Sequence, residues 1–362
     1  MKDLILFGDC RESLKTIATS DTKARMCVTS PPYYGLRDYG TATWIGGDPN
    51  CNHRRDSKVK PENCNTGHKN HDQMAGVGDA IYKTVCPKCG AIRQDSQIGL
   101  EQTPEDYVKE MVKVFSLVRD CLTDDGTLWL NIGDSYYNYR SDGNYPKQTV
   151  SKTRQDLPQS TPVRGNKLEG LKQKDLIGIP WMLAFALRAD GWYLRQDIIW
   201  HKPNPMPESV KDRCTKAHEY IFLLSKSKNY YYDNEAIKEP AKDWGTRDRT
   251  NGKYHNPGSG LAPHSGLTKS YATKNKRSVW SVTVKPYKGA HFATYPEDLV
   301  EPCILAGSEK GDIVLDPFMG SGTTAMVAKK NSRSYLGCEL REEYASLQTA
   351  RISTIPNKLP LY

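Results

Sequence analysis

The 362-residue sequence lacks any apolar run that approaches the roughly 20 residues a helix needs to cross a bilayer. Its N-terminus also lacks the apolar segment of a secretory signal. We therefore expect a cytoplasmic protein with no membrane partner. Because thiols stay reduced in that compartment, the ten cysteines are not expected to form a disulfide framework, and some are available as metal ligands.

Acidic residues are scarce relative to basic ones, 42 against 51, and the formal net charge is +9. Such a balance favours a polyanionic partner. The positive charge is segregated, because residues 140–174 contain eight Lys or Arg against three acids and residues 238–288 contain eleven against three. The first range shows no periodicity and is predicted to be a mobile loop. The second interleaves aromatic with basic residues, which suits phosphate contacts and base stacking, although a solvated loop is the plainer alternative.

Outside these ranges, strand-like and helix-like segments alternate along the chain. Strands are predicted over residues 4–7, 24–29, 127–132, 193–201, 220–224, 313–315 and 334–339. Helices are predicted over residues 10–17, 103–122, 179–187, from 323 and over 344–352. This alternation predicts an α/β fold with a wound, mostly parallel sheet and helices on both faces.

A cluster of metal-ligand residues lies in an insert at residues 44–100. Cys51-Asn52-His53 and Cys86-Pro87-Lys88-Cys89-Gly90 supply four ligands as two short-spaced pairs. Each pair can direct both side chains at one tetrahedral ion. We predict structural zinc held by Cys51, His53, Cys86 and Cys89, with unliganded thiols on a loop as the alternative. Cys64, His68 and His71 lie between the two pairs.

The run Thr29-Ser30-Pro31-Pro32-Tyr33 follows the second predicted strand. It offers a hydroxyl, a prolyl carbonyl that no neighbouring N–H readily satisfies, and an aromatic face on a stiffened backbone. These groups suit a planar base with an exocyclic amino group. The Ser30 hydroxyl and Pro31 carbonyl would accept the amino protons, and Tyr33 would stack on a base swung out of a duplex. We predict Ser30, Pro31, Pro32 and Tyr33 as catalytic residues.

A glycine-rich run at residues 316–324 follows another predicted strand and opens a helix. It lacks both the phosphate-loop arrangement and the full dinucleotide fingerprint. The next strand ends in Glu339 about twenty residues on, which places a carboxylate to bind ribose hydroxyls. That pairing suits S-adenosylmethionine, with Thr323 and Thr324 reaching the cofactor carboxylate at the helix start. The predicted cofactor-binding residues of this part are Asp316, Phe318, Gly320, Gly322, Thr323, Thr324 and Glu339.

Together these segments resemble the β group of amino-methylating DNA methyltransferases, in which the catalytic motif precedes the cofactor motif, and especially its site-specific phage and prophage members. The likeness covers residues 7–10, 29–40, 46–48, 126–136, 200–219, 291–296, 316–324 and 337–339. It implies a Rossmann-type S-adenosylmethionine-dependent core with a circularly permuted motif order, acting on double-stranded DNA. It adds Asp9, His291 and Phe292 to the expected cofactor-binding residues. A homodimer and a cognate restriction nuclease are further candidate partners.

The resemblance also implies a division of the chain. Residues 1–43 would begin the core, 44–100 would form the zinc-binding insert, 101–237 would continue the core, 238–288 would recognise the target sequence, and 289–362 would form the cofactor-binding half. His201, Lys202, Asn204, His218 and Glu219 resemble a motif lining the base pocket, although either histidine could instead satisfy strand-edge backbone groups.

Position 30 bears on which base is modified. Adenine-modifying members of the group usually carry Asp or Asn where this chain has Ser30, and serine is commoner among cytosine N4 enzymes. A carboxylate and a hydroxyl can both accept an amino proton, so this chemistry alone does not decide the base. From the serine we predict cytosine N4 methylation, with adenine N6 as the alternative. A non-catalytic zinc-containing DNA-binding protein and an RNA methyltransferase are the alternatives from other classes.

Overall fold

The computed structural model describes residues 1–35, 42–53, 82, 85–94, 97–137, 168–241, 272–284 and 295–355. His291 and Phe292 lie outside these ranges, as do Cys64, His68, His71 and most of residues 140–174 and 238–288. Among the residues described, no helix combines the length and apolarity needed to span a membrane.

The strands and helices follow the predicted alternation. The strands are β1 Leu4–Phe7, β2 Ala24–Thr29, β3 Thr43–Ile45, β4 Ile92–Gln94, β5 Leu122–Ile132, β6 Tyr193–His201, β7 His218–Ser225, β8 Glu239–Pro240, β9 Thr273–Lys274, β10 Val279–Ser281, β11 Ile313–Asp316 and β12 Ser334–Glu339. The helices are α1 Cys10–Ala18, α2 Pro104–Cys121, α3 Ile179–Ala189, α4 Glu297–Gly307, α5 Thr323–Lys330 and α6 Ala345–Ser353.

Eight strands form the main sheet in the order β1-β12-β11-β2-β5-β7-β6-β10. Only β7 runs antiparallel to its neighbours in this sheet, β5 and β6, so the prediction of a mostly parallel sheet is confirmed. Because β1, β12, β11 and β2 are parallel neighbours, their carboxyl ends lie at one edge. In open α/β sheets this edge is where ligands bind.

The sheet separates two hydrophobic cores. Alternate residues of β2 face opposite sides, so Cys27 packs in the core with α1, α2 and α3, whereas Met26 and Val28 pack in the core with α4 and α5. Trp129 of β5 reaches the second core, and its strand neighbours Leu128 and Leu130 reach the first. Helices on both faces confirm the predicted fold class.

The helix α2 shows why the local prediction succeeded. The Thr103 side chain accepts a hydrogen bond from the Asp106 N–H at 3.1 Å, and Pro104 occupies the first turn. Glu105 adds a second acid near the positive end of the helix. These capping groups are adjacent in sequence, so they can be read without the fold.

Six of these strands and helices were not predicted, namely α4, β3, β4, β8, β9 and β10. The helix α4 carries Pro302 in its interior and has no side-chain cap, so it lacks the usual start signal. The short hairpin β3–β4 lies in the insert that holds the cysteines. The strand β10 lies within residues 238–288 yet pairs with β6 at the edge of the main sheet, with Trp280 opposite Trp200. The domain division itself stays a prediction.

Candidate active site

The two predicted motifs meet at the carboxyl edge of the sheet. Ser30 directly follows β2, Asp316 ends β11 and Glu339 ends β12, three neighbouring parallel strands. The Thr29 hydroxyl donates to Asp316 Oδ1 at 2.6 Å, although 287 residues separate the two. The residue before the predicted catalytic serine is therefore bonded directly to the first residue of the glycine-rich run.

Asp316 is a fully buried carboxylate with several donors. Besides Thr29, it accepts hydrogen bonds from the Phe318 N–H at 3.0 Å, from the Tyr295 hydroxyl at 3.1 Å and from the Thr324 hydroxyl. Burial raises the pKa of Asp316, while these hydrogen bonds act in the opposite direction. Asp316 thus ties together β2, β11 and the start of α5.

Glu339 holds the glycine-rich run in place. Its Oε2 accepts from the Gly320 N–H at 2.8 Å, and its Oε1 accepts from the Arg341 N–H at 2.9 Å. Burial raises the pKa of Glu339 to about 7. Gly320 and Gly322 have φ values of 53° and 83°, a region that favours glycine, so the turn requires these residues.

The threonines at the start of α5 already have protein partners. Arg351 Nη1 lies 3.0 Å from the Thr323 hydroxyl and also donates to Ser321. The Thr324 hydroxyl is bonded to Asp316. The prediction that these two hydroxyls bind the cofactor carboxylate stays a prediction, and their observed role is to hold the turn between β11 and α5.

Asp9 follows β1 by two residues, and the last residue of that strand, Phe7, pairs with Glu339. Asp9 caps α1 by accepting from the Arg11 N–H at 2.9 Å, and Arg11 Nη2 pairs with it at 2.6 Å. Burial opposes ionisation, but the hydrogen bonds from Arg11 prevail and lower the pKa of Asp9. The adjoining Gly8 has a φ of 114° and open space where a Cβ would stand, so its backbone is accessible to a ligand.

The predicted catalytic segment is held by residues that the sequence did not point to. Tyr107 of α2 donates its hydroxyl to the Pro32 carbonyl at 2.9 Å. The Gly35 N–H donates to the Gly99 carbonyl at 2.8 Å. Because Gly35 and Gly99 flank the cysteine-containing insert, the insert leaves and rejoins the core beside the catalytic segment.

Tyr33 is half-buried, and its hydroxyl binds a carboxylate. Its hydroxyl donates to Glu219 Oε2 at 2.7 Å and lies 3.5 Å from the Ser30 hydroxyl. Its ring packs on the backbone of Gly133, where a Cβ would stand 2.7 Å from the Tyr33 Cε2. Burial and the nearby negative Glu219 raise the pKa of Tyr33, so the hydroxyl keeps its proton.

Glu219 binds several of the polar groups near the Tyr33 hydroxyl. It forms an ion pair with Lys202 and accepts from Asn131 Nδ2 at 3.3 Å. The Lys202 ammonium also lies 4.2 Å from the centre of the Trp200 ring. Lys202 and Glu219 were expected near the base pocket, whereas Asn131 was missed. The sequence feature that could have indicated Asn131 is its position as a polar residue near the end of a mostly apolar strand.

The remaining residues of that expected motif do not join this cluster. His201 Nδ1 lies 3.0 Å from the Ser281 hydroxyl of β10. The Asn204 amide is bonded to both the N–H and the carbonyl of Val284, at 2.9 and 3.0 Å. His218 packs edge-on against Tyr220. These hydrogen bonds and this ring contact stabilise the segments around the site.

The four predicted metal ligands converge. The candidate ligand atoms of Cys51, His53, Cys86 and Cys89 all lie within 4.8 Å of one another. Cys51 Sγ lies 3.7 Å from Cys86 Sγ, and Cys89 Sγ lies 3.5 Å from His53 Nδ1. The sulfur separation is too long for a disulfide, and all these cysteines are free.

The hairpin β3–β4 builds this cluster. Trp44 of β3 stacks on the His53 ring, with ring centres 4.3 Å apart. Gly47 has a φ of 72°, and a Cβ there would stand 2.8 Å from Cys89 Sγ. The Cys86 N–H donates to the Ala91 carbonyl at 2.8 Å, closing the turn that carries Cys89.

A wound sheet with a Ser-Pro-Pro-Tyr segment and a glycine-rich turn at adjacent strand ends agrees with the Rossmann-type methyltransferase class that the sequence motifs resemble. The sequence profile of the N6/N4 DNA methylase family matches residues 24–350. The chain is 41% identical over 353 residues to the Type II methyltransferase M.SmaI of Serratia marcescens, covering 96% of this chain and 90% of that protein. It is 39% identical over 345 residues to the Type II methyltransferase M.Cfr9I of Citrobacter freundii, covering 95% and 86%. The chain belongs to the N6/N4 DNA methylase family.

Solved structures share the fold at low sequence identity. The PvuII DNA methyltransferase, described as cytosine-N4-specific, matches with a TM-score of 0.53 and 15% identity over 99% of this chain and 88% of that chain. A putative DNA modification methylase of Thermus thermophilus, solved in complex with S-adenosyl-L-methionine, matches with a TM-score of 0.50 and 20% identity over 98% and 95%. The predictions of an enzyme and of the amino-methylating DNA methyltransferase family are confirmed: the chain is an S-adenosylmethionine-dependent DNA methyltransferase. The likeness to phage and prophage members stays a prediction.

The residues at the strand ends fit this cofactor. The cofactor carries a sulfonium cation and ribose hydroxyls, which require negative charge and hydrogen-bond acceptors. Glu339 supplies a carboxylate, and the open backbone at Gly8 leaves room beside it. Both lie on neighbouring strands of the ligand-binding edge.

Proposed function

We propose that this protein methylates the N4 amino group of cytosine in a specific sequence of double-stranded DNA. The observation that supports this proposal is the Ser30 hydroxyl at the end of β2, beside the strand that ends in Asp316. Serine is the residue that the resemblance associates with cytosine. Adenine N6 methylation by the same chemistry is the alternative.

The exocyclic amine of a base is a poor nucleophile because its lone pair is delocalised into the ring. The Ser30 hydroxyl oxygen and the Pro31 carbonyl would accept its two protons and aim the lone pair away from the ring plane. Tyr107 holds the adjoining Pro32 carbonyl at 2.9 Å, so the segment is already in place before a base arrives. When bound, S-adenosylmethionine supplies the methyl group as a sulfonium donor. Tyr33 would stack on the flipped base.

We assign the cofactor residues according to their observed partners. Glu339 would bind the ribose hydroxyls, and Asp9 and Phe318 would border the cofactor. Gly320 and Gly322 would let the backbone approach it. The residues proposed to support this surface from behind are Asp316, Thr323 and Thr324, and His291 and Phe292 remain assigned from the resemblance.

Incubation with S-adenosylmethionine and unmodified genomic DNA, followed by nucleoside mass spectrometry, tests the reaction and the base. We expect N4-methylcytosine. N6-methyladenine would contradict the inference from Ser30, and the absence of any methylated nucleoside would contradict the proposed activity. Ser30→Ala should lower the transfer rate about 100-fold or more without changing cofactor affinity. Ser353→Ala, at the end of α6, is the matched control, and an unchanged rate in Ser30→Ala would remove Ser30 from catalysis.

We also propose that Cys51, His53, Cys86 and Cys89 bind a structural zinc ion. Tetrahedral zinc, with zinc–sulfur and zinc–nitrogen bonds of about 2.3 and 2.0–2.1 Å, requires sulfur–sulfur separations of about 3.8 Å and sulfur–nitrogen separations of about 3.5 Å. The Cys51–Cys86 sulfur separation is 3.7 Å and the Cys89–His53 separation is 3.5 Å, and all four ligand atoms lie within 4.8 Å of one another. Four protein ligands with no open position are typical of a structural site.

Metal analysis of purified protein tests this site. We expect one zinc per wild-type chain and none in the double variant Cys86→Ser with Cys89→Ser. Cys214→Ser removes an exposed free thiol elsewhere and should keep its zinc. Equal zinc in wild type and the double variant, or none in either, would contradict the proposal.

We propose residues 238–288 as the target-recognition region because they carry the largest local excess of positive charge. We further propose, from the likeness to Type II methyltransferases, that the enzyme protects DNA from a cognate restriction nuclease. The second proposal is tested by sequencing the methylated sites. The methylated DNA is then challenged with nucleases that cut the same sequence when it is unmethylated. Analytical ultracentrifugation tests the homodimer.

A further inference from the structure

Three side chains behind the predicted base site form a directed hydrogen-bond path. Ser30 Oγ lies 3.5 Å from the Tyr33 hydroxyl, a long contact across which the serine hydroxyl can donate. The Tyr33 hydroxyl in turn donates to Glu219 Oε2 at 2.7 Å. Tyr33 has a single hydroxyl proton, and its other acceptor, Asn131 Oδ1, is farther away at 3.4 Å. The path therefore runs from Ser30 through the Tyr33 hydroxyl to the Glu219 carboxylate.

The carboxylate at the end of this path is held firmly. The side chain of Glu219 is only 16% exposed, and its partner Lys202 only 19%. Asn131 Nδ2 donates both to Glu219 and to the Tyr220 carbonyl, at 3.3 and 3.1 Å, which fixes the amide. Where a site is shielded from bulk water, hydrogen bonds in series polarise one another. The negative charge of Glu219 can therefore act on Ser30 through the Tyr33 hydroxyl.

We propose that Glu219 is a positioning residue that polarises Ser30 through Tyr33, supplying at a distance the negative charge that serine lacks. This inference rests on the proposed role of Ser30. When Ser30 donates its own proton towards Tyr33, its oxygen lone pairs face the base and become stronger acceptors for the amino proton. The proposal explains why a neutral hydroxyl suffices where related enzymes carry a carboxylate or an amide.

Single-turnover methyl transfer tests the path. Tyr33→Phe keeps the ring on Gly133 and the Glu219–Lys202 pair but removes the connecting hydroxyl. We expect Tyr33→Phe and Glu219→Gln each to lower the rate by about tenfold or more, with cofactor affinity unchanged. The double variant should be no slower than the slower single variant, because both changes interrupt one path. The matched controls are Tyr230→Phe and Glu301→Gln, which change a surface hydroxyl and a carboxylate of α4.

A rescue experiment separates polarisation from a merely structural role. Ser30→Asp places a carboxylate directly at position 30, so it should raise the rate of Tyr33→Phe about tenfold and benefit the wild type far less. Equal effects of Ser30→Asp in both backgrounds, or wild-type rates in Tyr33→Phe, would overturn the proposal. If Glu219→Gln does not fold, the Tyr33→Phe comparison decides alone. Wild-type protein that methylates no base would instead contradict the proposed function.

Discussion

Replacing Glu339 with glutamine should abolish a specific pH dependence of stability. Burial raises the pKa of this carboxyl from 4.5 to about 7 in the folded protein. Because the folded state holds the proton more tightly than the unfolded state, the stabilising contribution is fully present below the lower value and is lost as the pH rises towards the higher one. The gap between the two values corresponds to about 3 kcal/mol.

Urea denaturation from about pH 5 to about pH 8 measures this effect. The difference in unfolding free energy between wild type and Glu339→Gln cancels the other titrating groups. Across that pH range we expect the wild type to lose about 2 to 3 kcal/mol of unfolding free energy relative to Glu339→Gln. Glutamine also loses one of the two acceptors for the N–H groups of Gly320 and Arg341, but this loss is constant with pH. Glu301→Gln, on α4, is the matched control.

A difference that stays flat with pH would refute the reasoning, because it would mean that Glu339 titrates alike in both states. The same carboxylate is proposed to bind the ribose hydroxyls. An ionised carboxylate accepts hydrogen bonds more strongly than a neutral one, so the cofactor affinity should rise from about pH 6 to about pH 8 in the wild type. Calorimetric titration should show no such rise in Glu339→Gln.

Further predictions concern the packing of the site and the metal. Gly133→Ala should displace the Tyr33 ring, destabilise the protein by about 1 to 3 kcal/mol in urea denaturation, and slow methyl transfer while cofactor affinity is retained; a wild-type rate would show that the ring position is unimportant. Thr29→Val removes a donor from buried Asp316 and should cost about 1 to 3 kcal/mol of stability, measured in the same way, whereas an unchanged midpoint would show that the remaining donors suffice. Chelation of zinc should lower the melting temperature of wild type but not of the variant lacking Cys86 and Cys89, and equal shifts would argue against a bound metal.

Local patterns predicted much of the fold. The bounds of β6 and β12 agree with the predicted residues 193–201 and 334–339. The start of α2 follows from its capping threonine and proline. These signals come from residues adjacent in the chain, where capping and side-chain periodicity act. The helix α4 lacked them, because proline interrupts its pattern and no side chain caps it.

The predicted metal cluster also converged as expected, because two short-spaced pairs need only one hairpin to meet. The protein partners of the threonines in the glycine-rich run could not be predicted in this way. Their position at a helix start predicts ligand contacts, and that stays a prediction, whereas the bonds of Thr324 to Asp316 and of Thr323 to Arg351 are seen only in the fold. Which side of a turn faces a ligand depends on elements that pack against it from elsewhere in the chain.

The sequence by itself determined the chemical groups of the site: a serine hydroxyl, a stiffened aromatic segment, a glycine-rich turn and a buried acid at a strand end. Only the tertiary structure decided their partners. Thr29 meets Asp316 across 287 residues, and Tyr33 meets Glu219 across 186. These pairings follow from the order in which strands lie side by side, and strand order is set by the packing of the whole sheet rather than by neighbouring residues.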